Sequence, residues 1–437
     1  RSATTNVIGS KGIKFQSRLK FNGGKSAGKA DKVANAEIER LYKAAGKLKN
    51  KPTVDGKSSH RKAQGKWLRS LIVDGEVLVM FHPGSSKNVS RFAYEFIDPD
   101  RLDWTKNETL RNGNRVKMGV ELDHQSEPVA YWILEDHPNE QLLARGNKRP
   151  VRVPAGFVYH SFLEEQTGQT RGVSLLASAA LRAHLLDQFE RATVIGGIVA
   201  ARKVGFYKIN QTAAEDYGVL GNEIEETGEE CEDVNDDATL IHNVEDGQFE
   251  QLPSYVDGIE SFSSEYPPAN FEEFEKRMIR GMAAGFGGQY HQVANDLEGV
   301  NFSSARAGEL EQRKVWKDFQ ELIIEEFLEP HLEQWGQMTF LRNDLNFDRA
   351  KLRRVLDSDL YEFSPQGWAW VDPVKEMQAN KLALELGLTT RAAIISESSS
   401  KDFEDVIDEL SEEEKYMLAH GLNPRPDEPQ PADQVED

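Results

Sequence analysis

The chain has a single cysteine, Cys231, which rules out an intramolecular disulfide framework and a cysteine metal cluster and suits a reducing compartment. Long apolar runs are missing too. A membrane span needs roughly 18 uninterrupted apolar residues. The nearest approach, 172–201, carries Arg182, His184, Asp187, Glu190 and Arg191 and reads as a helix in water. Cations are in deficit: 53 Lys and Arg against 73 Asp and Glu leave a formal net charge of −20. That balance excludes a broad phosphate-gripping surface, but not a partner that touches DNA weakly while the duplex slides past.

Catalytic apparatus is equally scarce. None of the ten histidines forms the i, i+4 pair of a helical zinc site. His160, His184 and His331 stand alone and read as packed or capping residues. The Gly-x-Ser-x-Gly pattern at Gly24-Lys25-Ser26-Ala27-Gly28 has no convincing strand before it and does not read as a nucleophile elbow, and Cys231 lies among acids that would raise its thiol pKa. Residues Gly23 to Ala30 match the Gly-x4-Gly-Lys core of a phosphate loop, but Ala30 stands where a Ser or Thr must hold magnesium. The pairs Asp98/Asp100 and Asp344/Asp348 could bind a cation, yet so acidic a chain contains such pairs without any role. No metal or cofactor is expected. The chain begins at Arg1, so the absence of a leader carries no weight.

What is present is an ordinary composition, 38% hydrophobic and 29% charged, over 437 residues, enough for two to four structural units. Residues 1–66 are basic and Gly/Lys-rich and read as a solvated, partly mobile arm. Short runs, Glu76–Phe81, Phe92–Ile97, Val116–Leu122 and Pro128–Leu134, read as strands, with Asn112-Gly113 a hairpin turn. After Gly172 the period becomes helical: Val173, Leu176, Ala180, Ala183, Leu186 and Phe189 form one stripe. Gly205–Ile209 and Thr239–His242 are strand candidates on either side of an acidic stretch that reads as a solvated loop. Phe271 to Met282 predicts a helix that stops at Gly285-Phe286-Gly287-Gly288, and 289–300 a loop. Asn301 to Trp335 predicts a helix of roughly 50 Å unless Pro330 kinks it. Residues 337–371 read as loop and strand. Asp372-Pro373 opens a helix that Gly387 closes, and Ser411 with Glu414 forms a capping box for a last helix ending at Gly421. The Pro- and acid-rich end, 424–437, reads as disordered.

Several segments together resemble the lambda-type family of tailed-bacteriophage portal proteins. They are Asn6-Val7-Ile8-Gly9-Ser10-Lys11-Gly12-Ile13, Val73-Asp74-Gly75-Glu76-Val77-Leu78-Val79, Phe96-Ile97-Asp98-Pro99-Asp100-Arg101-Leu102 and Gly119-Val120-Glu121-Leu122-Asp123. The most specific is Val158-Tyr159-His160-Ser161-Phe162 followed by Gly168-Gln169-Thr170-Arg171-Gly172-Val173-Ser174. Val300 to Arg306 (V-N-F-S-S-A-R), and Trp370 to Glu376 (W-V-D-P-V-K-E) leading to Gly387-Leu388-Thr389-Thr390, complete the series.

The resemblance implies an α+β portal fold with a β-rich wing (1–172), stem helices (173–201 and 270–284), a small mixed α/β clip (202–268), a tunnel loop (285–300), a long wing helix (301–336), a wing return (337–372) and an α-helical crown (373–423). It implies a homo-oligomeric ring, usually twelvefold, at one capsid vertex of the virion, assembled in the host cytoplasm. Implied partners are further copies of the chain, the double-stranded DNA passing through, the terminase large subunit, the head–tail adaptor, and the major capsid and scaffold proteins. No membrane and no enzymatic activity are implied; the alternative is an enzymatic packaging component, a nuclease or ATPase subunit. On this reading Gln289, Tyr290, His291, Gln292 and Asn295 meet DNA transiently, with Gly287 and Gly288 as the loop hinge. Lys276, Arg277 and Arg280 are stem cations that either offset the acidic wall or bridge subunits, and Glu229, Glu230, Glu232 and Asp233 form the acidic run of the clip.

Overall fold

The computed structural model of the chain describes residues 2–21, 29–85, 88, 90–139, 149–202, 206–209, 256–260, 270–296, 302–342, 348–368, 372–398 and 403–422. It divides into two compact units, Arg1–Ala180 with Gly281–Asp437, and Leu181–Arg280. Helices and antiparallel sheets alternate along the chain, so the class is α+β.

The expected mobile arm is instead part of the core of the first unit. Helix α1 (Ser2–Val7), strand β1 (Lys14–Ser17), α2 (Lys32–Ala45) and α3 (His60–Val73) bury Val7, Ile8, Ile13, Phe15, Leu19, Ile38 and Trp67. Apolar residues are sparse in this stretch, but they find distant partners. Strand β1 pairs antiparallel with β12 (Tyr361–Ser364), placing Phe15 opposite Phe363. Three glutamine amides hold the backbone around β1. Gln64 exchanges two hydrogen bonds with Ile13, Gln320 donates to the Val7 carbonyl, and Gln366 donates to those of Thr5 and Asn6. The phosphate-loop look-alike falls largely outside the described residues.

Strand β2 (Glu76–Pro83) is central, between β3 (Phe92–Ile97) and β9 (Val158–Phe162). Its near-continuous apolar run follows from burial on both faces. Val77, Val79 and Phe81 enter the large core with α3, while Leu78 joins a second core with Ile97, Leu102, Val120, Tyr131, Ile133 and Val158. That second core packs against a five-stranded meander, β4 (Glu108–Thr109), β5 (Arg115–Lys117), β6 (Val120–Leu122), β7 (Pro128–Ile133) and β8 (Val151–Pro154). The run expected as one strand from Val116 to Leu122 is a hairpin, because Met118 and Gly119 both take positive φ. The Asn112-Gly113 turn joins β4 to β5 as expected.

The long helix is present with an irregularity at its middle. Helix α7 (Phe302–Ile323) passes through a π turn, Ile324–Leu328, into α8 (Glu329–Phe340). Pro330 has no N–H for the Glu326 carbonyl, and its ring would crowd that oxygen in a regular helix. The wider turn relieves the crowding, and the freed carbonyl accepts from Ser161 Oγ at 3.4 Å. The Glu326 carboxyl is half-buried beside this turn with Oε2 unpaired. Burial raises its pKa to about 7.

Around α8 lies a buried aromatic hub. The Tyr42 hydroxyl contacts His60 Nε2 at 3.2 Å and His331 Nδ1 at 3.1 Å, and His60 Nδ1 meets the Tyr94 hydroxyl at 2.9 Å. The two imidazoles stack at 4.2 Å, linking α2, α3, β3 and α8. Burial lowers the pKa of His60 to about 4 and holds His331 well below its ordinary value. His331 was expected to be a packed residue, and it is.

Toward the C-terminus the region expected as loop and strand contains α9 (Arg349–Asp357), capped by the Asp348 side chain, before β12. Helix α10 (Pro373–Glu385) opens on Asp372, whose side chain accepts from the Lys375 N–H, as the sequence predicts. Helices α11 (Arg391–Ser398) and α12 (Phe403–Ala419) follow. Ser411 lies inside α12 and caps nothing: the apolar residues Phe403, Val406 and Ile407 carry the helix a full two turns further back.

In the second unit, helix α4 (Ala177–Arg202) contributes Phe189, which stacks on Phe271 at 5.7 Å and meets Phe274 at 4.9 Å from helix α5 (Phe271–Gly285). Strands β10 (Phe206–Ile209) and β11 (Val256–Glu260) pair antiparallel. Within this unit Leu181, Leu185, Val194, Ile195 and Ile198 of α4 are exposed, Leu181 at 69% and Val194 at 62%. The Thr239–His242 strand and the acidic run Glu229, Glu230, Glu232 and Asp233 lie outside the described residues. Among the described residues no helix is long and apolar enough to cross a membrane.

Candidate functional site

The Glu76 carboxylate, 3% exposed, and its partner Arg171 bring together three of the separate sequence motifs and the edge of a fourth. Glu76 starts β2, and its Oε2 accepts from the Gly172 N–H at 3.0 Å and lies 2.8 Å from His160 Nε2 on β9. Arg171 grips both oxygens through Nε at 2.7 and 2.9 Å and adds Nη2 to Oε1. The same guanidinium donates to the Pro99 carbonyl at 3.1 Å and the Met118 carbonyl at 3.2 Å. One arginine thus ties the Asp-Gly-Glu strand start to the Asp98-Pro99 turn, the β5–β6 hairpin and the segment that leads into α4. Burial alone would push the Glu76 carboxyl up. Hydrogen bonds and charge from His160 and Arg171 outweigh it and hold the pKa at about 2.

Glycine makes this approach possible. A Cβ on Gly172 would stand 2.1 Å from the Gly75 carbonyl oxygen, and one on Gly75, at φ +87°, would stand 2.2 Å from the Val173 carbonyl carbon. Because Gly172-Val173-Ser174 is folded against β2 in this way, α4 begins at Ala177 and not at Val173 as its periodicity suggests. The late motifs meet in a second cluster. Arg306 on α7 reaches Asp372 at 3.9 Å and Glu376 at 3.5 Å on α10.

The expected tunnel loop is tightly built where it is described. Helix α5 ends in a Schellman turn: the Gly288 N–H bonds the Ala283 carbonyl and the Gly287 N–H that of Ala284, with Gly287 at φ +73°. The Gln312 side chain donates to the Gly287 carbonyl at 3.2 Å. Where a loop was expected, Tyr290–Ala294 form a short helix, α6, ended by Asn295 in a left-handed conformation. Gln289 and His291 lie against Gly308 of α7, and Gln292 borders a small apolar pocket with Trp316 and Phe319. Tyr290 donates to Asp296 at 2.9 Å, while Asn295 is exposed. The structure therefore places Gln289, His291 and Gln292 beside α7. Of the stem cations, Lys276 pairs with Glu272 in its own helix, and Arg277 and Arg280 are exposed.

One cation candidate gains a member. Asp98, Asp100 and His137 converge, with His137 Nε2 at 3.6 and 3.8 Å from the two carboxylates. However, His137 Nδ1 accepts from the Asn139 N–H at 3.1 Å. In the neutral ring that leaves the proton on Nε2, on the side of the carboxylates but beyond hydrogen-bond distance of them, and no free imidazole lone pair faces the two acids.

Sequence reading singled out Arg171 and Glu76 only as letters in motifs; their pairing across the fold was not visible. The signal that could have found it is the juxtaposition of an acid at a strand start with an arginine flanked by glycine.

Comparison with known proteins fits this gathering of motifs. The profile of the family described as "Phage portal protein, lambda family" matches residues 1–320. A "Probable portal protein" of Halomonas phage phiHAP-1 is 32% identical over 417 residues, covering 95% of this chain and 76% of the relative. "Portal protein B" of Escherichia phage lambda is 20% identical over 354 residues, covering 78% of this chain and 65% of the relative. Among solved structures, a chain from the "Neck of empty GTA particle computed with C6 symmetry" aligns over 97% of this chain and 89% of its own, at 11% identity and a TM-score of 0.43. The chain therefore belongs to the lambda family of phage portal proteins.

Proposed function

We propose that copies of this chain close into a ring, twelvefold by family resemblance, at one vertex of the virion capsid. The ring serves as the conduit for genome packaging and ejection. It docks the terminase large subunit and later the head–tail adaptor, contacts the major capsid and scaffold proteins, and performs no chemistry itself. The observation that carries this reading is α4. Leu181, Leu185, Val194, Ile195 and Ile198 project from a 26-residue helix and are left open within their unit. Apolar surface of that kind is covered by association, and neighbouring copies of the helix supply the cover. An acidic channel wall would repel phosphates and limit friction on the moving duplex.

The loop reading is tested by replacing Tyr290, His291 and Asn295 together with alanine. Expected are intact rings in electron micrographs and particles that lose most of their DNase-protected genome. Loss of rings would assign these residues to the fold, and full DNA retention would remove them from the channel.

A further inference from the structure

We propose that the cleft between β1, α2 and the start of α3 is a docking groove for an acidic, amphipathic peptide segment of a partner protein. The cleft encloses about 890 Å³. In a chain with a net charge of −20, its walls carry six cations, Lys11, Lys14, Arg40, Lys43, Lys47 and Arg61, against one acid, Glu39. Arg40 is already neutralised by Glu37, and Glu39 is engaged by the Ser17 N–H. Lys11, Lys43, Lys47 and Arg61 have no ion-pair partner among the described residues and are exposed.

Local helix stability accounts for Lys43 but not for Arg61. Lys43 sits in the last turn of α2, where a helix favours a cation. Arg61 is in the first turn of α3, beside Lys62 and with no acid there, where the helix dipole disfavours one. The floor is apolar: Ile13, Phe15 and Tyr42 line the cleft, and Leu48, 49% exposed, lines it too. Duplex DNA presents phosphates on a convex rod and has no use for such a floor. A peptide with carboxylates flanking a few apolar side chains satisfies both features at once. The size is that of a groove taking a few anchoring side chains. This inference is independent of the ring reading, since it uses only residues of one chain.

The test is fluorescence anisotropy with a labelled synthetic helix that carries Glu on one face and Leu and Phe on the other. Its controls are the same peptide with Gln for Glu and a labelled DNA duplex. The proposal expects saturable binding of the Glu peptide, weakened at least about tenfold by the Lys43→Glu, Lys47→Glu, Arg61→Glu triple variant and by the Gln substitution. Lys47→Ala and Arg61→Ala, each checked by circular dichroism, give smaller losses in the same direction and keep the test readable if the triple variant misfolds. The proposal is overturned by absence of binding, by equal binding to the triple variant, or by tighter binding of the duplex. It is also overturned if light scattering shows that the triple variant of normal fold no longer assembles, because a second copy of the chain would then be the occupant.

Discussion

Arg171→Ala is expected to destabilise the chain by about 3–5 kcal/mol, the cost of leaving a buried carboxylate without its ion-pair partner. Glu76 is 3% exposed, and Arg171 supplies two of the groups that contact its oxygens as well as bonds to two carbonyls. His160 and the Gly172 N–H remain, but neither replaces the bidentate charge. Arg171→Lys restores a charge without the planar fork and is expected to recover only part of the loss. Urea unfolding monitored by tryptophan fluorescence measures both. A loss below about 1 kcal/mol for the alanine variant, the range of a surface salt bridge, would mean that the cluster is open to water. Because α4 departs from this junction, the variant is also expected to impair assembly before it fully unfolds the chain.

The second large effect is acid lability from the histidine hub. His60 has its pKa lowered from 6.5 to about 4, so between those values the unfolded chain binds a proton that the folded chain does not. Stability is therefore full above pH 6.5 and falls as the pH falls toward 4, by about 3 kcal/mol at 1.36 kcal/mol per unit. His331, stacked on it and shifted the same way, adds to the loss. Glu326 works in the opposite direction. Its pKa is raised from 4.5 to about 7, so its contribution is full below pH 4.5 and lost as the pH rises through 7. Glu326→Gln removes that term. In this variant the urea midpoint is expected to be level above pH 7 and to drop steeply from pH 6.5 to 4. Below pH 4.5 Glu76, held at about 2, adds a further loss. An unchanged midpoint from pH 7 to pH 5 would show that water reaches the hub.

How much of this was legible in the sequence depends on how local the signal is. The Asp372-Pro373 start of α10, the glycine stop of α5 and the strands at 76–81 and 92–97 rest on neighbouring residues and stand in the structure as read. The N-terminal segment was misread because its cover comes from β12, nearly 350 positions away, and from Gln320 and Gln366. Composition cannot reveal such pairing. The motifs that hold Glu76, Pro99, His160 and Arg171 were visible singly, but their meeting at one buried ion pair is a property of topology. Helix α4 shows the reverse case. Its apolar side chains promise burial that their unit does not provide, and on the proposed ring reading the cover is another copy of the chain.

That inference is tested most directly by electron microscopy and mass measurement of the purified chain. The account predicts closed rings with a central opening wide enough for a DNA duplex, and dissociation when Leu181, Val194 and Ile195 are replaced by Asp. A stable, monodisperse monomer with α4 open to solvent would contradict it.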